Sequence, residues 1–266
     1  MRCLIVGVVN ATPDSFWDGS RFESATEAVA AGSGMVDDGA DWIDVGGEST
    51  RPAQPEVVPE EEEIARVVPV IAGLRERVGR RARISIDTYK AGTARAGLAA
   101  GATIVNDISG GLLEPAILEV AARAQAAVVL GHLRGRPATM MDNISFSDVV
   151  AEVGDELAAC IVAARAAGCR EIWADPGIGF GKRAEHSLAL IRGLPALVAR
   201  LGVPLLLGVS RKSFLGQILG KPASERLFGT AAAVTACVAG GAAAVRVHDV
   251  AEMRDVVRVA DALKNA

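Results

Sequence analysis

The sequence is poor in aromatic residues and lacks both a strong net charge and a long hydrophobic run. Phe, Trp and Tyr make up only 4% of the 266 residues, too few for the stacking surfaces that bind single-stranded nucleic acid. The 28 Lys and Arg against 32 Asp and Glu give a formal net charge of −4, which offers no general attraction to nucleic acid or acidic lipid. The apolar run near the N-terminus is too short to cross a membrane and precedes no cleavage site, so we expect neither an anchor nor a signal peptide.

Cysteine is also scarce. Cys3, Cys160, Cys169 and Cys237 show no CxxC spacing, and each lies in an apolar stretch. This pattern is typical of buried thiols in a cytoplasmic protein, whereas a secreted disulfide scaffold carries more Cys per residue. The 3 histidines lie far apart and have no Cys at zinc-ligand spacing.

Short apolar runs alternate along the chain with segments of helical period. Half of the residues are apolar and 23% are charged, a balance typical of a folded domain with a large core. Residues 147–167 and 251–264 have a 3.6-residue apolar repeat, and four Glu follow Pro59 at a third helix start. The predicted strands span residues 3–9, 42–45, 83–86, 103–106, 126–131, 171–174, 204–208 and 243–247.

Eight nearly continuous apolar strands, each followed by a helical segment, predict a (β/α)8 TIM barrel of the α/β class. We expect it to form a single domain over residues 1–266, with a doubly wound open sheet as the alternative. Two connections, over residues 10–24 and 46–59, are unusually long. Long loops in a compact domain are often lids over an active site.

A polar residue lies near or just after the carboxyl end of each predicted strand. TIM-barrel enzymes carry their chemistry at these carboxyl ends, so eight polar ends on one rim predict an active site. For any one of them a helix cap or a solvated turn is the alternative, and we prefer a cap for Asp107. The strand ends carry Asn10, Asp44, Asp87, Asn106 with Asp107, His132, Asp175, the residues from Ser210 to Ser213, and Arg246 with His248.

The cations at these ends indicate an anionic ligand. Arg246 and His248 are two residues apart and so point the same way on a strand. Arg51, in a proline-rich loop, is a further candidate, because guanidinium groups suit phosphate oxygens. The alternatives are a solvated charge for Arg51 and a helix cap for His248. Asn10 offers a neutral oxygen suited to Mg²⁺ beside a diphosphate.

The acids indicate a nitrogen-rich ligand. Carboxylates such as Asp87 and Asp175 accept two N–H donors side by side, and Asn106 adds both a donor and an acceptor. Residues 175–182 contain the pattern G-x-G-x-G-K, but this spacing matches neither a P-loop nor G-x-G-x-x-G. A fused heterocycle is therefore a better candidate than a nucleotide phosphate at these residues.

The segments around these residues resemble dihydropteroate synthase. The similar blocks follow family order across nearly the whole chain, at residues 10–16, 44–52, 85–88, 106–108, 175–182, 210–213 and 246–249. The resemblance implies a TIM barrel that joins p-aminobenzoate to a dihydropterin bearing a CH2 diphosphate. Diphosphate then leaves, and 7,8-dihydropteroate forms. It also implies a homodimer, with the Ala-rich helix after Gly229 as a possible interface, and a sulfonamide target.

The resemblance also implies roles for individual residues. Those implied in catalysis are Asp87, Asp175, Lys212, Arg246 and His248. Pterin binding is implied for Asp87, Asn106, Asp175 and Lys212, and diphosphate binding for Asn10, Arg51, Arg246 and His248, with Mg²⁺ at Asn10. The implied p-aminobenzoate pocket comprises Phe16, Thr50, Pro52, Phe180, Lys212 and Ser213.

Three residues depart from the family pattern: Trp17, Gly131 and Arg134. Methionine is usual in place of Gly131, at the end of the fifth strand. We therefore predict that Gly131→Met adds an apolar contact to the pterin and lowers its KM, without changing the KM for p-aminobenzoate.

Three other functions stay open at this point. A barrel that passes a folate methyl group to a corrinoid protein would share the pterin pocket but would not need Arg51, Arg246 and His248 around a diphosphate. A catalytically inactive binding subunit would not need an intact set of polar strand ends. A Schiff-base lyase would use Lys212 as its nucleophile.

Overall fold

The computed structural model describes residues 2–11, 24–49 and 57–265. Strands and helices alternate along these residues, because apolar runs that are buried on both faces alternate with amphipathic segments. In chain order the elements are β1 (Leu4–Asn10), α1 (Ala25–Asp37), β2 (Trp42–Gly46), α2 (Glu60–Val78), β3 (Arg83–Asp87), α3 (Ala91–Ala99), β4 (Ile104–Asp107), α4 (Ala116–Arg123), β5 (Ala127–Gly131), α5 (Val149–Ala166), β6 (Ile172–Asp175), α6 (Ala184–Arg192), α7 (Leu194–Leu201), β7 (Leu206–Gly208), α8 (Ser213–Leu219), α9 (Leu227–Ala239), β8 (Ala244–Val247) and α10 (Val250–Lys264).

The strands form a parallel barrel. Their order is β6-β5-β4-β3-β2-β1-β8-β7, and a parallel bridge between Ala174 and Leu205 joins the two outer strands. This confirms the predicted (β/α)8 barrel, and each predicted strand begins and ends within two residues of the observed one. The alternative of an open sheet is wrong, because this bridge closes the ring between β6 and the residue that precedes β7.

Alternate residues of each strand face the barrel interior. The lower interior is filled by apolar side chains, among which the rings of Trp42 and Trp173 meet edge to face with centroids 4.8 Å apart. Side chains two residues further along a strand share the same face. Asp44, Asp175 and Arg246 stand two positions beyond Trp42, Trp173 and the equally buried Ala244. The strand period therefore places polar groups directly above an apolar plug.

The helix termini follow the sequence signals. Helix α2 begins after Pro59 with four Glu in its first turn, and Gly79 ends it with a φ of 57°. Asp148 caps α5 by accepting hydrogen bonds from the backbone N–H groups of residues 150 and 151. The four cysteines are buried free thiols, as predicted. Among the described residues, no helix combines the length and the apolar character that crossing a membrane requires.

Asp107 does not cap a helix. Its carboxylate accepts hydrogen bonds from the backbone N–H groups of Ser109 and Gly111, at 2.8 and 2.6 Å, and from the Ser109 hydroxyl at 2.8 Å. Helix α4 begins only at Ala116. The preferred interpretation of Asp107 as a helix cap is therefore wrong, because its carboxylate stabilises the turn after β4.

Candidate active site

A cavity of about 190 Å³ opens at the carboxyl ends of the strands. Because the strands are parallel, these ends meet on one rim. The cavity collects predicted residues from every implied subsite: Asn10, Asp87, Asn106, Asp175, Phe180, Lys212, Ser213, Arg246 and His248. The remaining predicted residues, Phe16, Thr50, Arg51 and Pro52, lie outside the described residues, as does Trp17.

On one side of the cavity, a guanidinium group bridges two carboxylates. Arg246 donates from Nε to Asp44 Oδ2 at 2.6 Å and from Nη2 to Asp87 Oδ2 at 2.7 Å. Asn106 donates from Nδ2 to the same Asp44 oxygen at 2.9 Å. The sequence analysis assigns Arg246 to diphosphate binding. The structure shows that the guanidinium of Arg246 is hydrogen-bonded to the carboxylates of Asp44 and Asp87. Asp44 appears in the sequence only as a polar strand end, and strand parity with Trp42 is the signal that could have shown its inward orientation.

The other side of the cavity is built by Asp175, Lys212 and Phe180. Asp175, the last residue of β6, accepts a hydrogen bond from the Gly177 backbone N–H at 2.7 Å. Lys212 donates from Nζ to the Ile178 carbonyl, and the same nitrogen lies 4.4 Å from the centre of the Phe180 ring. A cation over an aromatic face is stabilised by the ring quadrupole, so this contact orients both side chains.

Burial disfavours the charged forms of the two acids and the lysine in this cavity, so it raises the pKa of each acid and lowers the pKa of the lysine. Burial raises the pKa of Asp87 to about 7; the negative charge of Asp44 adds to the shift, and Arg246 opposes it. Burial also raises the pKa of Asp175, against the positive charge of Lys212. Burial lowers the pKa of Lys212 to about 8, against the charge of Asp175. Such shifts cluster at functional sites, which supports the assignment of this cavity as the active site.

His248 lies just beyond β8 and forms a hydrogen bond of 2.9 Å between its Nδ1 and the Ser210 hydroxyl. The ring of His248 therefore contacts Ser210, and the alternative interpretation of His248 as a helix cap is wrong. Burial and the charge of Arg246 lower the pKa of His248 to about 4. The imidazole is therefore neutral at pH 7, and it offers an N–H donor instead of a positive charge.

A buried lysine that the sequence analysis missed supports the glycine-rich segment 175–182. Lys182 is only 3% exposed, and its Nζ lies 2.9 Å from the Phe180 carbonyl and 2.9 Å from His132 Nδ1. His132 in turn contacts Glu156 at 2.9 Å. Gly177 has a φ of 67°, and a Cβ there would lie 2.1 Å from the His132 carbonyl. The glycine therefore permits a close backbone approach, and the segment forms a cavity wall.

Gly131 lines the cavity, but the free space that its prediction assumes for a larger side chain is absent. A Cβ at this position would lie 2.6 Å from Cα and 2.7 Å from the carbonyl oxygen of Ile108. The space that a methionine would need is filled by the main chain after β4. Gly131→Met therefore cannot simply add a contact to the ligand.

We expect Gly131→Ala to destabilise the protein by about 1–3 kcal/mol, because an extra methyl group forces the backbone after β4 to move. Gly34→Ala in α1 is the matched control, since a Cβ at Gly34 would meet no atom within 4 Å. Ala should stabilise that helix by roughly 0.5–1 kcal/mol. Urea unfolding of both variants tests this, and equal stability of the two would contradict the steric argument.

Arg134, another departure from the family pattern, points away from the cavity. It forms ion pairs with Glu152, at 2.7 Å, and with Glu156 on α5, and its guanidinium lies 4.1 Å from the centre of the Phe146 ring. Its role is to attach the loop after β5 to α5. This departure therefore does not change the lining of the cavity.

The chain is similar to known proteins over almost its full length. A family model described as pterin binding enzyme matches residues 6–248. The dihydropteroate synthase of Synechocystis sp. is 47% identical over 265 residues, which cover 98% of this chain and 90% of that protein. Two solved structures share the fold. Yersinia pestis dihydropteroate synthase with a sulfonamide drug complex has a TM-score of 0.93 at 37% identity, over 99% of this chain and 94% of that one. Xanthomonas albilineans dihydropteroate synthase with 4-aminobenzoic acid has a TM-score of 0.90 at 40% identity, over 100% and 94%.

Proposed function

The chain belongs to the dihydropteroate synthase family of pterin-binding enzymes, and from this premise we propose how its residues carry out the reaction. The enzyme is a transferase of folate synthesis. It condenses 6-hydroxymethyl-7,8-dihydropterin diphosphate with p-aminobenzoate to give 7,8-dihydropteroate and diphosphate. We further propose that residues 1–266 form one pterin-binding domain.

Pterin recognition is proposed for Asp87, Asn106, Asp175 and Lys212. The observation that carries this proposal is the pair of partly buried carboxylates, Asp87 from β3 and Asp175 from β6, on the wall of one cavity. A dihydropterin presents N–H donors along its edge, and carboxylates accept such donors in pairs. The amide of Asn106 and the ammonium of Lys212 complete the polar set for ring oxygen and nitrogen atoms.

We propose that the reaction begins with loss of diphosphate. The CH2–O bond breaks, its electron pair leaves with the diphosphate, and the electron-rich dihydropterin stabilises the methylene cation. The carboxylates of Asp87 and Asp175 favour the positive charge from fixed positions. The amine of p-aminobenzoate then attacks the methylene carbon, and the new C–N bond is completed when the nitrogen loses a proton.

The leaving group and the second substrate occupy the outer part of the cavity. We propose that Asn10, Arg246 and the N–H of His248 bind the diphosphate, together with Arg51 outside the described residues. Phe180, Lys212 and Ser213 are proposed to contact p-aminobenzoate, with Phe16, Thr50 and Pro52 also outside the described residues. Sulfonamides are expected to compete for this second pocket.

Diphosphate release in the absence of p-aminobenzoate tests the order of bond breaking. If the C–O bond breaks first, the enzyme should release diphosphate slowly without the amine, because water captures the cation. In H₂¹⁸O the hydroxymethyl product should then carry ¹⁸O, which separates C–O cleavage from hydrolysis at phosphorus. Absence of both release and label without the amine would favour direct displacement instead.

We propose that Mg²⁺ binds beside Asn10 when diphosphate is present. The amide oxygen of Asn10 is a hard, neutral ligand on the cavity wall, which suits this cation. Among the described residues, no group of three His, Cys, Asp or Glu side chains is placed to hold a metal ion. Substrate oxygens and water would therefore supply the other ligands. When bound, the cation would neutralise charge on the leaving diphosphate.

Calorimetry is expected to show Mg²⁺ binding to the protein only when inorganic diphosphate is also present. Asn10→Ala should weaken this diphosphate-dependent binding, because it removes the proposed protein ligand. Tight Mg²⁺ binding to the protein alone would mean that another site supplies the ligands.

We propose a homodimer that uses the surface of α8 and α9. Phe228, at the start of α9, is 86% exposed, and Ile218 and Leu219 of α8 are 57% and 42% exposed. Exposed large apolar residues grouped in this way mark an interaction surface, and the exposed Ala side chains of α9 permit close approach. Sedimentation equilibrium distinguishes the dimer from a monomer.

We also propose a cytoplasmic location, supported by the four reduced, buried cysteines.

A further inference from the structure

Asp44 is a buried carboxylate that has no part in the reaction as described above. It is the third residue of β2, only 1% exposed, and it does not line the cavity. We propose that Asp44 is a positioning residue for the pterin site, which fixes Arg246 and Asn106 from below and holds a negative charge next to Asp87. This inference rests on the proposed placement of the pterin against Asp87 and Asn106.

One oxygen of Asp44 connects two strands of the site. Its Oδ2 accepts hydrogen bonds from Arg246 Nε on β8, at 2.6 Å, and from Asn106 Nδ2 on β4, at 2.9 Å. Arg246 uses Nη2 to reach Asp87 at 2.7 Å, so the planar guanidinium is held at two points. A planar group bound by two carboxylates has a fixed orientation. The amide of Asn106 is likewise fixed, because the bond to Asp44 determines which of its atoms faces the cavity.

The strand register places Asp44 one layer below the cavity, so that Asp44 acts on a ligand there only through neighbouring side chains. Asp44 pairs with Ser85 in the β2–β3 register, and Asp87 stands two residues later on β3. Asp44 therefore occupies the interior layer directly below Asp87, between the apolar plug and the floor of the cavity. A ligand in the cavity contacts the upper layer, and Asp44 influences it only through Arg246, Asn106 and Asp87.

The charge of Asp44 is incompletely neutralised. Within the described part of the chain its Oδ1 has no hydrogen-bond partner, and its Oδ2 shares Arg246 with Asp87. The charges that act on Asp87 include Asp44 and Arg246, smaller like charges from Glu63 of α2 and Asp107 of β4, and the positive charge of Lys212 after β7. Burial and then Asp44 raise the pKa of Asp87. Removal of the Asp44 charge should therefore lower that pKa.

The test is Asp44→Asn, which keeps the shape of the side chain. Its carbonyl oxygen can take the place of Oδ2 and accept from both Arg246 and Asn106, so the variant removes the negative charge that fixes the guanidinium and acts on Asp87. We expect the KM for the pterin diphosphate to rise about tenfold, equivalent to about 1.4 kcal/mol, while the KM for p-aminobenzoate stays within about twofold. The acidic limb of the kcat/KM profile should move to lower pH, because Asp87 ionises more easily.

Ser85→Ala is the matched control. Ser85 lies in the same interior layer, is also 1% exposed, and its hydroxyl has no hydrogen-bond partner among the described residues. This variant should keep wild-type KM values and pH profile. If Asp44→Asn does not fold, Asp44→Ser gives the same comparison in a smaller side chain.

These measurements distinguish failure of the proposed function from failure of the role proposed for Asp44. A wild-type protein that forms no dihydropteroate would overturn the proposed function. An active wild type, together with an Asp44→Asn variant that keeps the wild-type pterin KM and acidic limb, would overturn the role of Asp44 alone. An activity loss in Asp44→Asn at every pH, with no shift of the limb and equal effects on both substrates, would show a merely structural role.

Discussion

Lys212→Met is expected to lower kcat/KM by roughly 10²–10³-fold, the typical effect of removing one preorganised polar group from an active site. The ammonium of Lys212 lies between the wall built by Asp175 and the ring of Phe180, and it donates to the Ile178 carbonyl. Methionine has a similar length but supplies neither charge nor donor. The fold should persist, because Lys212 follows β7 at the rim and is not part of the apolar core.

The pH profile gives a second readout for Lys212. Burial lowers its pKa to about 8, so the lysine is charged at pH 7 and loses its proton as the pH rises through about 8. The kcat/KM of the wild-type protein should therefore fall above about pH 8, and this basic limb should be absent from Lys212→Met.

The control for Lys212 is Lys221→Met. Lys221 is half-exposed and lies 3.9 Å from Glu225 on the surface, a contact of little energetic value. It should keep wild-type kinetics. Near-native turnover in a folded Lys212→Met protein would remove Lys212 from the reacting site.

Asp175→Asn is expected to lower kcat/KM about 100-fold or more, mainly through the KM for the pterin substrate. The amide can still accept the hydrogen bond from the Gly177 N–H, so the turn after β6 keeps its shape. Its NH2 group, however, meets the N–H edge of the pterin and cannot accept a hydrogen bond. The negative charge next to the methylene cation is also lost, so kcat should fall as well.

Steady-state kinetics with each substrate varied in turn test this assignment. Asp255→Asn is the control, because the Asp255 side chain is 70% exposed on α10 and lies 3.6 Å from Arg254, a surface contact of little energetic value. A larger change in the KM for p-aminobenzoate than in the KM for the pterin would place Asp175 in the wrong subsite.

The strands and the rim could be predicted because their signals are local. Each buried parallel strand is an almost continuous apolar run, and each run ends where the first polar residue appears. The positions of Asp87, Asp175 and Lys212 on one cavity follow from these strand ends and from the geometry of a parallel barrel. The resemblance to dihydropteroate synthase then added subsites that spacing alone does not distinguish.

The errors concern contacts between distant parts of the chain. Gly131 was interpreted as a missing apolar side chain, whereas the backbone of Ile108, from the preceding strand–helix connection, fills that space. Lys182 was considered only as part of a weak nucleotide pattern, although it anchors the carbonyl of Phe180. Neither contact has a periodic or compositional signal, because each depends on how two separate loops approach each other.

The sequence by itself determined the order of the elements, the strand boundaries and the polar character of the rim, since these depend on the periodicity and burial of neighbouring residues. Only the tertiary structure decided which charges meet. Arg246 is separated from Asp44 by 202 residues and from Asp87 by 159, yet one guanidinium binds both carboxylates. Closure of the barrel brings β8 next to β1 and across from β3, and alternate strand residues then share one interior layer. The charge balance of the proposed pterin site is therefore a property of barrel closure and strand register, and no local segment contains it.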